Sequence, residues 1–182
     1  MLILENLIDK MKSNYRNERE FMRSGDLIAW DKGRGGWLSR LTVSIIRLLT
    51  GSRYGHVGIV WVRGGRVFVI EAAQPYVRIT PVSSLKEFFH IPTKVRWLKQ
   101  YEEFLLSKVG LEYSLSDCLR AYFGTLNEKD NNRYQCAELA CEFYKLANIL
   151  KDDYFEPGCL VDAVIEERKT QPTLITNKNI FR

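Results

Sequence analysis

Three side chains that lie far apart in the sequence have the types that nucleophilic acyl transfer needs. Cys136 carries a thiol, His56 an imidazole and Glu71 a carboxylate. In such chemistry a thiolate attacks a carbonyl carbon, an imidazole transfers the proton, and a carboxylate fixes the tautomer and orientation of the ring. These three residues can act together only if the fold brings them side by side.

Two β-rich runs on either side of Gly64-Gly65 predict a hairpin that positions the histidine and the carboxylate. If these glycines are the two turn residues, Glu71 faces Gly58, which shares one side of its strand with His56 because side chains alternate. His56 and Glu71 are then diagonal neighbours, about 7–8 Å apart at the backbone. Gly58 is expected to leave space for the imidazole to lean toward the carboxylate. A purely structural pair remains the alternative, since a buried carboxylate needs a partner.

Cys136 follows a polar loop and begins the strongest predicted helix, residues 136–150. Unpaired N–H groups and the positive dipole end of a helix favour a thiolate in its first turn, and a nearby imidazolium favours it further. The other cysteines, Cys118, Cys141 and Cys159, lack this position and are interpreted as small buried side chains. The same interpretation is the alternative for Cys136.

Four motifs occur in an order that is found in a known family: GDLI at 25–28, SRYGHVGIV at 52–60, VIEA at 69–72 and YQCAEL at 134–139. In this order they resemble the permuted papain-like amidases of the YiiX/YaeF type, circularly permuted relatives of the NlpC-type cell-wall peptidases. The resemblance covers about residues 24–162. Two departures are Ala137, where many relatives carry serine, and Gly55, where a serine often precedes the histidine.

The resemblance implies an α+β, circularly permuted papain-like fold, with a small antiparallel sheet or partial barrel packed against the helix that carries the cysteine. It implies a cysteine hydrolase, an amidase or endopeptidase acting on peptide or cell-wall amides, with Cys136 as nucleophile, His56 as base and Glu71 as orienting residue. A thioester is the expected intermediate. The alternatives are an acyltransferase or deacylase on lipid substrates, and a catalytically idle papain-like binding or structural protein that a phage could encode.

The tetrahedral intermediate of this reaction needs two hydrogen-bond donors at its oxyanion. The backbone N–H of Cys136 is one candidate, and Tyr54 and Gln135 are alternatives for the other. Tyr134 is a further substrate-binding candidate. We expect no cofactor and no metal, because the chain has no CxxC pair and its two histidines are distant in sequence from Cys136.

The composition predicts one globular domain. The chain has 182 residues, of which 46% are apolar and 27% charged. No apolar run approaches the roughly 18 residues of a membrane span, and residues 1–12 do not look like a signal peptide. A cytoplasmic location is therefore expected, or a virion-associated or host-targeted one if the protein is phage-encoded.

The charge distribution bears on the substrate. The net charge is +5, and residues 32–66 contain seven basic and no acidic side chains. An anionic peptide, amide or lipid-ester substrate and an ordinary solvated basic face explain this segment equally well. Nucleic acid is not an expected partner, since no aromatic-interleaved platform accompanies the charges. The oligomeric state is left open.

The remaining expectations concern the periphery. Residues 1–20 are predicted to form an amphipathic helix outside the core, and residues 167–182 a polar tail. His90 is interpreted as an exposed loop histidine. Further helices are predicted at 38–48, about 100–109 and about 113–123, with strand and loop at 77–98.

Overall fold

The computed structural model describes residues 12–31, 53–114 and 133–177. Within these ranges nine strands form one sheet: β1 Lys12–Asn14, β2 Leu27–Trp30, β3 His56–Arg63, β4 Arg66–Ala73, β5 Tyr76–Pro81, β6 Glu87–Ile91, β7 Glu112–Tyr113, β8 Arg133–Tyr134 and β9 Thr173–Thr176. The same ranges contain four α-helices: α1 Tyr15–Glu18, α2 Lys99–Lys108, α3 Cys136–Leu146 and α4 Pro157–Arg168. The architecture is therefore α+β, as predicted.

The strand order across the sheet is β1-β9-β6-β2-β3-β4-β5-β7-β8. The β1–β9 and β7–β8 pairs are parallel, and the other neighbouring strands are antiparallel. The centre of the sheet is thus a β2-β3-β4-β5 meander with short strands on both sides.

The predicted hairpin is confirmed, with Arg63 opposite Arg66 and Ile59 opposite Ile70. Gly64 and Gly65 have φ values of +56° and +70°. A two-residue turn of this kind requires positive φ at both central positions, which glycine adopts without a steric penalty from Cβ.

Both faces of the hairpin are covered by apolar side chains. On one face Val57 and Ile59 of β3 belong to a buried cluster with Leu139 and Phe143 of α3. On the opposite face Val60, Val67 and Val69 belong to a second cluster with Val82 and Phe88. The helix that carries Cys136 therefore packs directly on the strands that carry His56 and Glu71.

The single helix expected over residues 1–20 is wrong in the part that the structure describes. Residues 12–14 form β1, which pairs with β9, and α1 spans only Tyr15–Glu18. The Asn14 side chain accepts a hydrogen bond from the backbone N–H of Arg16, 3.1 Å away, so it caps a new helix at this point. Residues 1–11 lie outside the described ranges.

The expectation of a peripheral polar tail at 167–182 is also wrong. Helix α4 continues to Arg168, and β9 lies between β1 and β6 in the sheet with Leu174 and Ile175 buried. The sequence concealed this strand because only two of its four residues are apolar and its partners are far away in the chain.

The remaining helix predictions have mixed outcomes. The helix expected at 100–109 is confirmed as α2. Helix α3 ends at Leu146 rather than at 150, and Asn148 just beyond it adopts a left-handed conformation with φ +54°. The helix expected at about 113–123 is wrong at its first residue, because Tyr113 lies in β7. The residues from 115 onward lie outside the described ranges. The helix at 38–48 lies outside them entirely.

Candidate active site

His56 and Glu71 are in direct contact, as the predicted register requires. Nε2 of His56 lies 2.8 Å from Oε2 of Glu71. The histidine is 9% exposed and the glutamate 0%. The space beside Gly58 is used by the neighbouring strand: a Cβ there would lie 2.6 Å from Cγ2 of Val69 and 3.1 Å from Cβ of Glu71. The missing side chain therefore makes room for Val69 and Glu71.

Glu71 is held by two further side chains that the sequence reasoning missed. Nε of Arg78 and Oγ1 of Thr80 donate hydrogen bonds to Oε1 of Glu71, at 3.1 and 2.9 Å. Both donors belong to β5, where Arg78 faces Glu71 directly. The signal that could have found them is the Gln74-Pro75 turn, because strand alternation after it places Arg78 and Thr80 on the face of Glu71.

Cys136 also lies near the imidazole. It is the first residue of α3, is 4% exposed, and its thiol is close enough to His56 to raise the pKa of the imidazole through its charge and through a side-chain hydrogen bond. The structure thus brings the three sequence-predicted residues together around His56.

The electrostatics of the site favour an imidazolium. Burial by itself lowers the pKa of His56, but the adjacent Cys136 and then Glu71 outweigh it and raise the pKa from 6.5 to about 9. A charged imidazole between a thiolate and a carboxylate is the resting arrangement that a nucleophilic cysteine needs.

The strand order explains how distant residues meet. His56 begins β3, Glu71 lies near the end of β4 and Arg78 near the start of β5, so antiparallel pairing places all three at one end of the sheet. Strand β7 pairs with the start of β5, and β8 runs parallel beside β7. The chain therefore leaves β8 at this same end of the sheet and turns into α3 at Cys136.

An indole covers the imidazole. Trp30 faces His56 across the β2–β3 pair, with ring centroids 5.0 Å apart and ring planes inclined by 34°. Trp30 is itself buried. This contact limits rotation of the imidazole and excludes water from one of its faces.

The helix start is organised by Gln135, which precedes Cys136. Gln135 is the N-cap of α3, and its side chain accepts the backbone N–H of Glu138. The Glu138 carboxylate in return accepts the backbone N–H of Gln135, at 3.4 Å, which completes a capping box. Gln135 is 1% exposed, and its side-chain Nε2 has no hydrogen-bond partner in the part of the chain that the structure describes.

The two tyrosine candidates occupy different surroundings. The Tyr134 hydroxyl donates to a carboxylate oxygen of Glu142 at 3.0 Å, and burial followed by Glu142 raises the pKa of this phenol. Tyr54 packs edge-on against Phe89, with centroids 5.3 Å apart, and burial raises its pKa. The guanidinium of Arg53 lies 4.4 Å from the centroid of the same Phe89 ring.

Several other sequence interpretations are corrected or fall outside the described ranges. His90 is not an exposed loop residue: it lies buried in β6 and contacts Asp26. Cys141 is buried, as interpreted. Cys159 is exposed, so its interpretation as a buried side chain is wrong. Cys118 lies outside the described ranges.

Two other features were considered for the described residues. These residues contain no group of three or more histidine, cysteine, aspartate or glutamate side chains that could hold a metal ion. In the same part of the chain, no helix has the length and hydropathy needed to cross a membrane.

Comparison with known proteins supports the fold. The crystal structure of metalloprotein yiiX from Escherichia coli O157:H7 matches with a TM-score of 0.54 and 18% sequence identity, over 87% of this chain and 90% of that chain. No protein-family model and no curated protein matches this sequence. The chain therefore has a YiiX-like α+β fold, as the resemblance implied, and at this identity the likeness concerns the fold alone.

Proposed function

We propose that this protein is a cysteine hydrolase on a permuted papain-like scaffold, cleaving amide bonds of peptide or cell-wall type. The observation that carries the proposal is the position of His56, whose Nε2 lies 2.8 Å from Oε2 of Glu71 and whose ring is close enough to Cys136 for the thiol to raise its pKa. Cys136 also begins a helix, where the dipole and the free N–H groups favour negative charge.

The reaction follows from these contacts. The Cys136 thiolate attacks the carbonyl carbon, and the carbonyl electron pair moves onto oxygen as the C–S bond forms. The intermediate collapses as His56 gives its proton to the leaving amine, which breaks the C–N bond and leaves a thioester. Neutral His56 then takes a proton from water, whose oxygen attacks the thioester, and the carboxylic acid and the thiolate are released.

Glu71 serves this cycle as a positioning residue. Oε1 is held by Arg78 and Thr80, so the carboxylate is fixed with Oε2 directed at the imidazole. A ring that donates from Nε2 to this oxygen presents its other nitrogen to the thiol in one tautomer. The charge on Glu71 also stabilises the imidazolium that persists between turnovers.

Because the yiiX structure is that of a metalloprotein, we asked whether the residues around Glu71 in this protein suit a metal ion. Both carboxylate oxygens of Glu71 already accept hydrogen bonds, and one donor is the guanidinium of Arg78. A cation beside Arg78 would meet its positive charge at close range. These residues do not fit a metal ion, and the proposed mechanism uses none.

Alkylation by iodoacetamide at neutral pH, followed at each cysteine by mass spectrometry, tests the proposal. Burial slows Cys136 relative to an exposed thiol, so the rate of each cysteine in His56→Gln is compared with its own rate in wild type. The exposed Cys159 is the internal control for changes that affect both thiols. We expect His56→Gln to slow the alkylation of Cys136 and to leave the rate of Cys159 unchanged.

Amide hydrolysis is then measured across a panel of peptides and cell-wall fragments, with Cys136→Ala as the inactive control. A Cys136 alkylation rate that His56→Gln leaves unchanged, together with no hydrolysis across the panel, would show an idle papain-like scaffold instead of a hydrolase.

A further inference from the structure

The side-chain amide of Gln135 belongs to the residue that directly precedes the proposed nucleophile. Gln135 is 1% exposed, and among the described residues its Nε2 has no hydrogen-bond partner. Burying a donor without a partner is unfavourable, and native proteins rarely leave one in this state without a reason. We propose that Nε2 of Gln135 binds the oxyanion of the tetrahedral intermediate together with the backbone N–H of Cys136. This inference rests on the proposed function.

The capping box fixes where this amide lies. The Gln135 side chain accepts the backbone N–H of Glu138, which holds its oxygen over the first turn of α3. Nε2 is bonded to the same carbon as that oxygen, so it lies at the same turn, the one that Cys136 begins. The Glu138 carboxylate holds the backbone of Gln135 from the other side. The donor is thus positioned before substrate arrives, as oxyanion stabilisation requires.

The other sequence candidates fit this role less well. The Tyr134 hydroxyl already donates to the half-buried Glu142, and binding an oxyanion would break that hydrogen bond. Tyr54 packs in the apolar cluster against Phe89. An amide is also neutral at every pH, so Gln135 can donate without disturbing the charges of Cys136 and His56.

Two reactions of the same sulfur separate an oxyanion role from a structural one. In acylation by p-nitrophenyl acetate, the Cys136 thiolate forms a thioester and p-nitrophenolate leaves with the C–O electron pair, through a tetrahedral oxyanion. In alkylation by iodoacetamide, the same thiolate displaces iodide at a tetrahedral carbon, and no oxyanion forms. Both rates are measured with Cys136→Ala subtracted as background, and the thioester is located by mass spectrometry.

The informative variant is Gln135→Met, which keeps the volume of the side chain and removes its donor and acceptor. We expect its acylation rate to fall by about 10²–10³-fold, the usual effect of losing one oxyanion donor, while its alkylation rate stays within about twofold of wild type. Glu138→Gln is the matched control, because it weakens the capping box and keeps the Gln135 amide. We expect it to leave the ratio of the two rates unchanged.

The outcomes are distinguishable. A parallel fall of both rates in Gln135→Met would mean that Gln135 only shapes the helix start, and an unchanged acylation rate would remove it from the site; either result overturns this inference alone. A wild-type Cys136 that is neither acylated nor alkylated overturns the proposed function as well.

Discussion

Asp26 and His90 form a second buried imidazole–carboxylate pair, with Nε2 of His90 2.9 Å from Oδ2 of Asp26. The same carboxylate is also held by the chain around it: the backbone N–H groups of Arg23 and Thr93 each donate to it at 2.9 Å, and the Thr93 hydroxyl donates to it at 3.5 Å. The pair therefore fixes the start of β2 against the segment that follows β6.

This second pair shows what distinguishes the candidate active site. Both pairs are buried and have nearly the same separation of nitrogen and oxygen. The His56 pair differs in having the thiol of Cys136, at the start of α3, close enough to raise the pKa of its imidazole. A buried histidine–carboxylate contact is thus compatible with a structural role, and the position of Cys136 is what favours chemistry.

We predict that Asp26→Asn destabilises the fold without changing the candidate site. The NH₂ group of the new side chain is a donor, and it replaces a carboxylate oxygen that accepts a hydrogen bond. One buried donor, such as His90 Nε2, therefore loses its acceptor, at a cost of about 1–3 kcal/mol. Urea denaturation measures the loss, and the rate at which iodoacetamide alkylates Cys136 at neutral pH should stay that of wild type. A fall in this rate as large as that of His56→Gln would instead link the second pair to the active site.

The charge of His56 predicts a pH dependence of stability. Its pKa is raised from 6.5 to about 9 in the folded protein. The stabilisation from a raised pKa is fully present below the unfolded value and is lost as pH rises through the folded one. We expect the free energy of unfolding to fall between pH 6.5 and 9 in wild type, and this fall to be smaller in His56→Gln. Parallel curves for the two proteins over this range would contradict the prediction.

Thr80 is expected to matter beyond its own packing. Thr80→Val keeps the shape and removes the hydroxyl that donates to Oε1 of Glu71. Hydrogen bonds to charged groups contribute about 1.5–3 kcal/mol, so a stability loss in this range is expected. Because Glu71 is then less firmly held, acylation by p-nitrophenyl acetate should slow more than alkylation by iodoacetamide. An acylation rate equal to that of wild type would show that Arg78 alone suffices to orient the carboxylate.

Gly58→Ala should damage both stability and the candidate site. The added Cβ would lie 2.6 Å from Cγ2 of Val69 and 3.1 Å from Cβ of Glu71, so the β3–β4 pair must shift. Overpacking of this kind costs about 1–3 kcal/mol. Gly65→Asn is the matched control, because space is open at that turn and Asn tolerates its positive φ of +70°. Similar denaturation midpoints for the two variants would mean that the hairpin absorbs the extra methyl group.

The sequence alone determined the local geometry on which the site depends. Gly64 and Gly65 mark a two-residue turn, and strand alternation then places His56 and Glu71 on one face with a diagonal contact. The start of α3 at Cys136 was equally visible, because a polar loop there gives way to a helical apolar pattern. These features depend on neighbours within about fifteen residues, so the chain's own periodicity encodes them.

Only the tertiary structure decided which distant elements meet. The contact between Cys136 and His56 depends on β8 following β7 beside β5, a pairing of very short strands with little sequence signal. The pairing of β9 with β6, and the burial of His90 against Asp26, were hidden for the same reason. A polar side chain carries no mark of its partner in the sequence, since burial and pairing are set by which surfaces the fold brings together.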